Sequence, residues 1–180
     1  MKYFICSDIH GSETALKKIL EQYKMHNADY LILLGDILYH GPRNPLPEGH
    51  NPKGVVELLN PLADKIIACR GNCDAEVDQM LLSFPVLADY SFIVDNGIKI
   101  FCTHGHIYNP DKLPKLSGQI FLYGHTHIQE MHKNENGLLI CNPGSISLPK
   151  GGTPAGYAIY ENKKISLYDL QGNIIKSDSI

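Results

Sequence analysis

Metal-capable side chains follow five short apolar runs of the sequence, at the point where each run ends. Aspartate, histidine and asparagine offer carboxylate, imidazole and carboxamide groups, which are common ligands of divalent metals. Four of the groups are pairs separated by a single position, which places two such side chains close together in an extended or turn segment. The residues are Asp8 and His10, Asp36, Asn72 and Asp74, His104 and His106, and His125 and His127.

Each group is a weak signal by itself, because an Asp-x-His pair is common and Gly35-Asp36 could simply form a turn. The conjunction is more specific, since five of the nine histidines lie in these groups. Glycines beside the groups allow the backbone to turn sharply near the ligands. The whole set therefore indicates one metal site assembled from distant parts of the chain.

The apolar runs have the length of buried β-strands and span residues 2–7, 30–34, 65–70, 99–103 and 120–123. Apolar residues at helical spacing, with Ser12 as N-cap, predict a helix over 12–24. Further helices are predicted over 54–63 and 75–84. Strands that alternate with helices predict a partly parallel sheet, and sites gather at the carboxyl ends of such strands.

The second half of the chain is richer in turns. Short apolar runs flank 95–97, 134–137 and 161–164, which predicts antiparallel hairpins. Two sheets packed face to face with helices outside would accommodate both halves. The 180 residues contain no repeat or dividing linker, so a single domain over 1–180 is expected. The irregular stretch 39–53, with four prolines, is either a substrate-binding loop or a solvent-exposed surface loop.

The composition excludes several classes of partner. Lys and Arg number 16 against 19 Asp and Glu, and the net charge of −3 supplies no broad cationic surface. Neither a membrane nor a nucleic-acid duplex is therefore expected as a partner. No apolar run approaches the roughly 18 to 20 residues that span a bilayer, and the start of the chain turns polar at Ser7. A cytoplasmic location is expected.

The five cysteines form no CxxC pair. An odd number cannot all pair within one chain, which agrees with a reducing compartment. We predict that Cys6, Cys69, Cys102 and Cys141 are core residues, because they lie in apolar runs. Cys73 is the exception, since it lies among polar residues.

These motifs resemble, in order, those of the calcineurin-like metallophosphoesterase superfamily. The matching segments are Asp8-x-His10, Gly35-Asp36, Gly71-Asn72-Cys73-Asp74, His104-Gly105 and Gly124-His125-x-His127. Residues 71–80, the loop 40–44 and the run 142–145 narrow the resemblance to the YfcE-type phosphodiesterase family. The resemblance extends to about Tyr160. It implies an α/β fold, a four-layer αββα sandwich of two mixed β-sheets flanked by helices.

The resemblance also implies two divalent metal ions and a ligand set. One ion is assigned to Asp8, His10 and His127, the second to Asn72, His104 and His125, and Asp36 bridges them. The ligand types suit Mn, Fe, Co, Ni or Zn, and the resemblance favours Mn. It implies a phosphodiesterase that hydrolyses the P–O bond of a small-molecule phosphodiester by attack of a metal-bridging hydroxide.

Cys73 departs from the wider superfamily, in many of whose members a histidine at this position protonates the leaving oxygen and is oriented by the following acid. Asp74 retains that acid, so Asn72, Cys73 and Asp74 are candidate catalytic residues. A thiol is a weak proton donor at neutral pH, which predicts a preference for aryl over alkyl phosphodiesters. Cys73 as a metal thiolate or as a merely structural residue are the alternatives.

Three residues outside the ligand set remain open candidates. Arg43 is a candidate for binding the substrate phosphate, although a loop arginine is often a solvated charge. His40 and His106 could donate a proton, hold substrate or be surface histidines. The run Asn142-Pro143-Gly144-Ser145 is predicted to support the segment that carries His125.

Two other functions compete with the phosphodiesterase. One is a non-catalytic protein-interaction scaffold, because a retromer subunit has a similar fold, and the other is a phosphomonoesterase. All seven ligand positions carry competent groups, which favours an enzyme over a scaffold. A homo-oligomer is suggested only by the resemblance.

Overall fold

The computed structural model describes residues 1–115 and 118–180. Eleven strands and three α-helices lie in this part of the chain. In chain order the elements are β1 (Lys2–Cys6), α1 (Glu13–His26), β2 (Tyr30–Leu33), α2 (Pro52–Leu59), a 3₁₀ helix (Asn60–Lys65), β3 (Ile66–Ala68), α3 (Glu76–Leu81), β4 (Tyr90–Asp95), β5 (Ile98–Thr103), β6 (Ile120–Leu122), β7 (Gln129–Lys133), β8 (Leu139–Pro143), β9 (Gly156–Glu161), β10 (Lys164–Asp169) and β11 (Ile174–Ser179).

The strands form two mixed sheets, as the resemblance implied. The first has six strands in the order β11-β10-β9-β1-β2-β3, and the second has five in the order β4-β5-β6-β8-β7. Strands β1, β2 and β3 are parallel, and so are β5, β6 and β8. The outer strands pair antiparallel with them. The carboxyl ends of both parallel sets are therefore available to build one site.

The two sheets pack face to face over an apolar layer. Ile5 and Ile32 of the first sheet share this layer with Ile100, Leu122 and Cys141 of the second. Burial of this apolar surface is the main term that holds the sheets together. The four cysteines that were predicted to be core residues are all buried, and all five are free thiols.

The outer face of the first sheet is covered by helices. Leu16 and Ile19 of α1 and Val55 of α2 pack into a cluster with Phe4 and Leu31 of the sheet. The outer face of the second sheet carries Phe101, Phe121 and Tyr123, against which Tyr108 and Leu113 pack. Within the described residues, this fourth layer is an irregular segment after β5 rather than a helix.

Most differences from the predicted boundaries have a local cause. The helix predicted over 54–63 is α2 followed by 3₁₀ geometry, because Pro61 lacks an amide proton and cannot continue an α-helix. The helix predicted over 75–84 is the shorter α3, which ends before Pro85. Strand β11 was not predicted, since its sequence IIKSDS is mostly exposed and polar. None of the helices described is long and apolar enough to cross a membrane.

Candidate metal centre

The structure brings all seven predicted ligand residues to one end of the two sheets. Each of them lies in the turn that follows a strand of one of the two parallel sets. Asp8 and His10 follow β1, Asp36 follows β2, Asn72 follows β3, His104 follows β5, and His125 and His127 follow β6. The parallel pairing within each sheet places these turns side by side, as the sequence predicted.

Five of these residues have a positive φ angle, which is uncommon for residues other than glycine. Asp8, His10 and Asp36 have φ of 56°, 50° and 54°, and His125 and His127 have 67° and 61°. Backbone bonds fix the first turn against the second, since the amides of Asp8 and His10 donate to the carbonyls of Gly35 (3.1 Å) and Asp36 (2.9 Å). Strained backbone held in this way is typical of functional sites.

One group of ligand atoms consists of Asp8, His10 and His127. Oδ1 of Asp8 lies 3.5 Å from Nε2 of His10 and 3.3 Å from Nε2 of His127. The two Nε2 atoms lie 3.1 Å apart. Three buried ligand atoms thus face one another within the span of a single ion.

A second group consists of Asp8, Asp36 and His104. Oδ2 of Asp36 lies 3.4 Å from Nε2 of His104 and 3.7 Å from Nε2 of His10. Oδ1 of Asn72 lies 3.2 Å from Nε2 of His104. Asp36 therefore lies near imidazoles of both groups, which agrees with its predicted bridging role, and Asp8 belongs to both groups.

Backbone carbonyls orient three of the imidazoles. Nδ1 of His10 donates to the carbonyl of Tyr39 at 2.8 Å, and Nδ1 of His127 to that of Leu148 at 2.7 Å. His104 makes the same bond to Leu34 at 2.6 Å. A proton on Nδ1 leaves a lone pair on Nε2, so all three rings present a metal-binding atom to the cluster.

One carboxylate oxygen at the centre of the cluster lacks a hydrogen-bond donor. Oδ2 of Asp8 accepts from the hydroxyl of Ser7 (2.7 Å) and from the amide of His125 (3.0 Å). Oδ1 of Asp8 is buried and has no hydrogen-bond partner among the described residues. A buried anionic oxygen is costly without a counter-charge, so this atom and its nitrogen neighbours fit a divalent cation.

The charges of the cluster are strongly coupled. Burial alone would raise the pKa of the Asp8 carboxyl, but the neighbouring imidazoles, foremost His104, hold that pKa well below its ordinary value. Burial opposes protonation of His104, but the carboxylates of Asp8 and Asp36 outweigh it and raise its pKa to about 9. The cluster therefore stabilises positive charge between its two carboxylates, as a site for divalent cations must.

Asp74, predicted to be a catalytic residue, has a different role. Its carboxylate accepts hydrogen bonds from the backbone amides of Asp36 (2.8 Å), Ile37 (2.8 Å) and Gly71 (2.7 Å). Burial raises its pKa to about 6, partly offset by these amides. Because the carboxylate is committed to the backbone and not to a reacting proton, Asp74 is a positioning residue that joins the turns after β2 and β3.

Cys73 lies at the edge of the cluster. Its amide donates to Oδ1 of Asp36 at 2.8 Å. Burial, together with the charges of Asp36 and Asp74, raises the pKa of its thiol to about 12. The side chain is thus a neutral thiol at pH 7, as the sequence analysis expected. Its sulfur also lies close to ligand atoms of His10 and Asp36, so the thiolate alternative is geometrically reachable.

A polar cavity of about 340 Å³ opens over the cluster. Arg43 lines it, as do Asn72 and His125, so this part of the loop 39–53 faces the site. Lys150 also lines the cavity, and its amide donates to the carbonyl of His127 at 2.9 Å. The sequence analysis missed Lys150, because it lies in a polar segment far from every motif and only the chain path after β8 brings it here.

Some of the remaining predicted residues lie near the ligand cluster, and others support the turns that carry it. The ring of His106 packs against that of His104, with the ring centroids 5.4 Å apart. His40 lies outside the ligand cluster and packs against Tyr39, with the ring centroids 4.9 Å apart. Asn142 donates to the carbonyl of Gly124 at 2.9 Å, and Ser145 donates to that of Asp8 at 2.7 Å. The predicted supporting role of this run is confirmed.

Comparison with known proteins identifies similar chains. Residues 1–164 match the calcineurin-like phosphoesterase superfamily domain. The chain is 46% identical to phosphodiesterase YfcE of Escherichia coli strain K12 over 176 residues, covering 97% of this chain and 95% of that protein. A solved structure of YfcE, a phosphoesterase from E. coli, superposes with a TM-score of 0.96 at 46% identity, covering both chains completely.

More distant structures share the fold. Vacuolar protein sorting 29 from Cryptosporidium parvum superposes with a TM-score of 0.70 at 19% identity, covering 99% of this chain and 98% of that one. At this identity the likeness concerns the arrangement of the two sheets alone.

Proposed function

This chain belongs to the calcineurin-like phosphoesterase superfamily, and we propose that it is a metal-dependent phosphodiesterase that hydrolyses one P–O bond of a small-molecule phosphodiester. One observation carries the proposal. The buried Oδ1 of Asp8 has no hydrogen-bond partner among the described residues, yet it lies within 4.0 Å of imidazole nitrogens of His10, His104 and His127. That arrangement holds cations and suits no apolar ligand.

The proposed centre is binuclear. Asp8, His10 and His127 would hold one ion, and His104, Asn72 and His125 the other, with Asp36 between them. When bound, two such ions activate water as the nucleophile and offset the negative charge at phosphorus. Manganese is the metal we propose, on the basis of the carboxylate, imidazole and carboxamide ligands and of the family resemblance.

The protein's own residues have separate tasks. The Nδ1 bonds of His10, His104 and His127 to backbone carbonyls fix the ligand rings before any metal arrives. Asn72 and Arg43 line the cavity, which supports the proposal that their carboxamide and guanidinium bind nonbridging phosphate oxygens. Lys150 adds a second cation to the same wall.

The test is metal-restored hydrolysis. Protein stripped with a chelator is reloaded with Mn, Ni, Zn or Mg in separate samples and offered bis-p-nitrophenyl phosphate beside p-nitrophenyl phosphate. We expect Mn to restore the highest rate and the diester to be cleaved faster than the monoester. A preference for the monoester would instead establish a phosphomonoesterase. No turnover with any metal, by a folded protein, would favour the scaffold function.

A pair of histidine variants controls this test. His125 is half-buried at the cavity, whereas His132 is exposed on β7 away from it. His125→Asn is expected to lower kcat with Mn by about 100-fold or more, because a ligand is weakened. His132→Asn should retain the parent rate, and equal losses in both variants would contradict the assignment of the site.

We also propose a cytoplasmic location, which the five free thiols support. A homo-oligomer is proposed from the family resemblance alone. Cell fractionation tests the location, and sedimentation of the purified protein tests the assembly.

A further inference from the structure

A second depression adjoins the metal centre and differs from it in chemistry. This apolar groove, of about 360 Å³, is lined by Leu38 and Tyr39 after β2, Pro52 of α2, and Val77 and Leu81 of α3. Val77 and Leu81 are four positions apart and so lie on one face of the helix. Tyr39, Val77 and Leu81 are 45%, 58% and 53% exposed, an unusual amount for neighbouring apolar side chains.

The polar residues of the groove, Asp78 and His50, present no charge to a group bound in it. The Asp78 carboxylate is buried and accepts the amide of Ala75 at 2.8 Å, so it caps α3. Burial, and secondarily the charge of His40, lowers the pKa of His50, which is therefore neutral at pH 7. The groove is suited to an uncharged apolar group.

The groove adjoins the cavity over the metal ligands. Cys73 lines both depressions. Tyr39 lies beside both depressions, because the residue lines the groove and its backbone carbonyl accepts a hydrogen bond from Nδ1 of His10 at 2.8 Å. The cavity on the other side of Cys73 carries the cations Arg43 and Lys150. The two depressions therefore extend in different directions from Cys73. One of them, the groove, is apolar, and the other, the cavity, is polar.

A phosphodiester has the same shape, since two substituents diverge from a single phosphorus. We propose that the apolar groove binds one ester substituent of the substrate and selects an aromatic or branched aliphatic group, while the other substituent lies in the cationic cavity. This inference rests on the proposed phosphodiesterase function, whose phosphate site it extends. Val77 and Leu81 are the specificity-determining residues.

Three variants of α3 test the inference. Val77→Gln and Leu81→Gln make the groove polar without adding charge, and the introduced glutamine is a good helix former. Met80→Gln is the matched control, because Met80 is 84% exposed on the same helix and does not line the groove. Bis-p-nitrophenyl phosphate is the substrate, since whichever substituent enters the groove is then aromatic.

With Mn-reloaded protein, we expect each groove variant to raise KM by about threefold to tenfold with kcat unchanged, as loss of an apolar pocket contact does. Met80→Gln should match the parent. Equal KM values for all four proteins would overturn the inference while leaving the phosphodiesterase function intact, whereas no turnover by the parent would overturn the function itself.

A second readout needs no metal. Saturation-transfer NMR with p-nitrophenol and the metal-free protein should detect binding that Val77→Gln and Leu81→Gln weaken and Met80→Gln preserves. Binding that is the same in all variants contradicts the inference. So does a change of oligomeric state in the groove variants with KM unaltered, because the groove would then be covered by a second copy of the chain.

Discussion

At the scale of single residues, the most distinctive feature of the site is the protonation state of Cys73. The thiol is neutral, and its amide is bound to the carboxylate of Asp36. It can neither protonate a leaving oxygen readily nor carry charge at pH 7. We therefore predict a preference for esters whose leaving group departs without a proton.

Cys73→His is expected to restore a proton donor. We expect the rate for alkyl phosphodiesters to rise by about tenfold or more, toward the range of general acid catalysis, while aryl diesters change little. The measurement is kcat/KM for a leaving-group series with Mn-loaded protein. Cys73→Ser serves as the control for side-chain replacement, and an unchanged slope in the histidine variant would refute the role.

At the scale of elements, the site depends on turns that are tied to one another rather than on any one strand. Asp74 connects the turn after β2 to the turn after β3. Asn142, near the end of β8, is bonded to the turn after β6, and Ser145, just after β8, is bonded to the turn after β1. Gly124 allows the two sheets to approach, because a Cβ there would lie 1.9 Å from the hydroxyl of Ser7.

Asp74→Asn tests this tie. The amide replaces one acceptor with a donor facing backbone N–H groups, so we expect the free energy of unfolding to fall by about 1–3 kcal/mol. Manganese affinity, measured by titration calorimetry, should fall as well, because Asp36 loses its support. Asp78→Asn weakens the cap of α3, because the neutral amide replaces a carboxylate. It is expected to lower stability without changing Mn affinity; equal affinity losses would refute the positioning role.

At the scale of the whole molecule, the candidate metal centre contains residues from both sheets. Asp8, His10 and Asp36 belong to turns of the first sheet, and His104 and His127 to turns of the second. The first sheet itself combines the first and last strands of the sequence, since β1 pairs with β9 and thereby joins β1, β2 and β3 to β9, β10 and β11. We therefore propose that residues 1–180 fold as one domain.

Metal binding should accordingly stabilise the entire fold. Because the ligands assemble only in the native state, Mn at about 100 times its Kd is expected to add about 2.7 kcal/mol to the free energy of unfolding. Differential scanning calorimetry of the chelated and Mn-loaded proteins measures the shift of Tm. Asp36→Asn should lose most of that shift and His132→Asn none; a shift that persists in the first variant would place the ion elsewhere.

The sequence alone determined the ligand types, their order along the chain and the strands that precede them. Continuous apolar runs of strand length and apolar residues at helical spacing are local properties, so β1, β2, β5 and α1 were predicted to within about two residues. The ordered motifs then fixed the family and the two mixed sheets.

The tertiary structure decided what depends on distance between remote segments. The role of Asp74 follows from amides of residues 36 and 37, and Lys150 reaches the cavity only through the path of the chain after β8. The apolar groove likewise forms only where α2, α3 and the turn after β2 meet. Contacts of this kind leave no periodic trace in a sequence, because the packing of whole elements creates them.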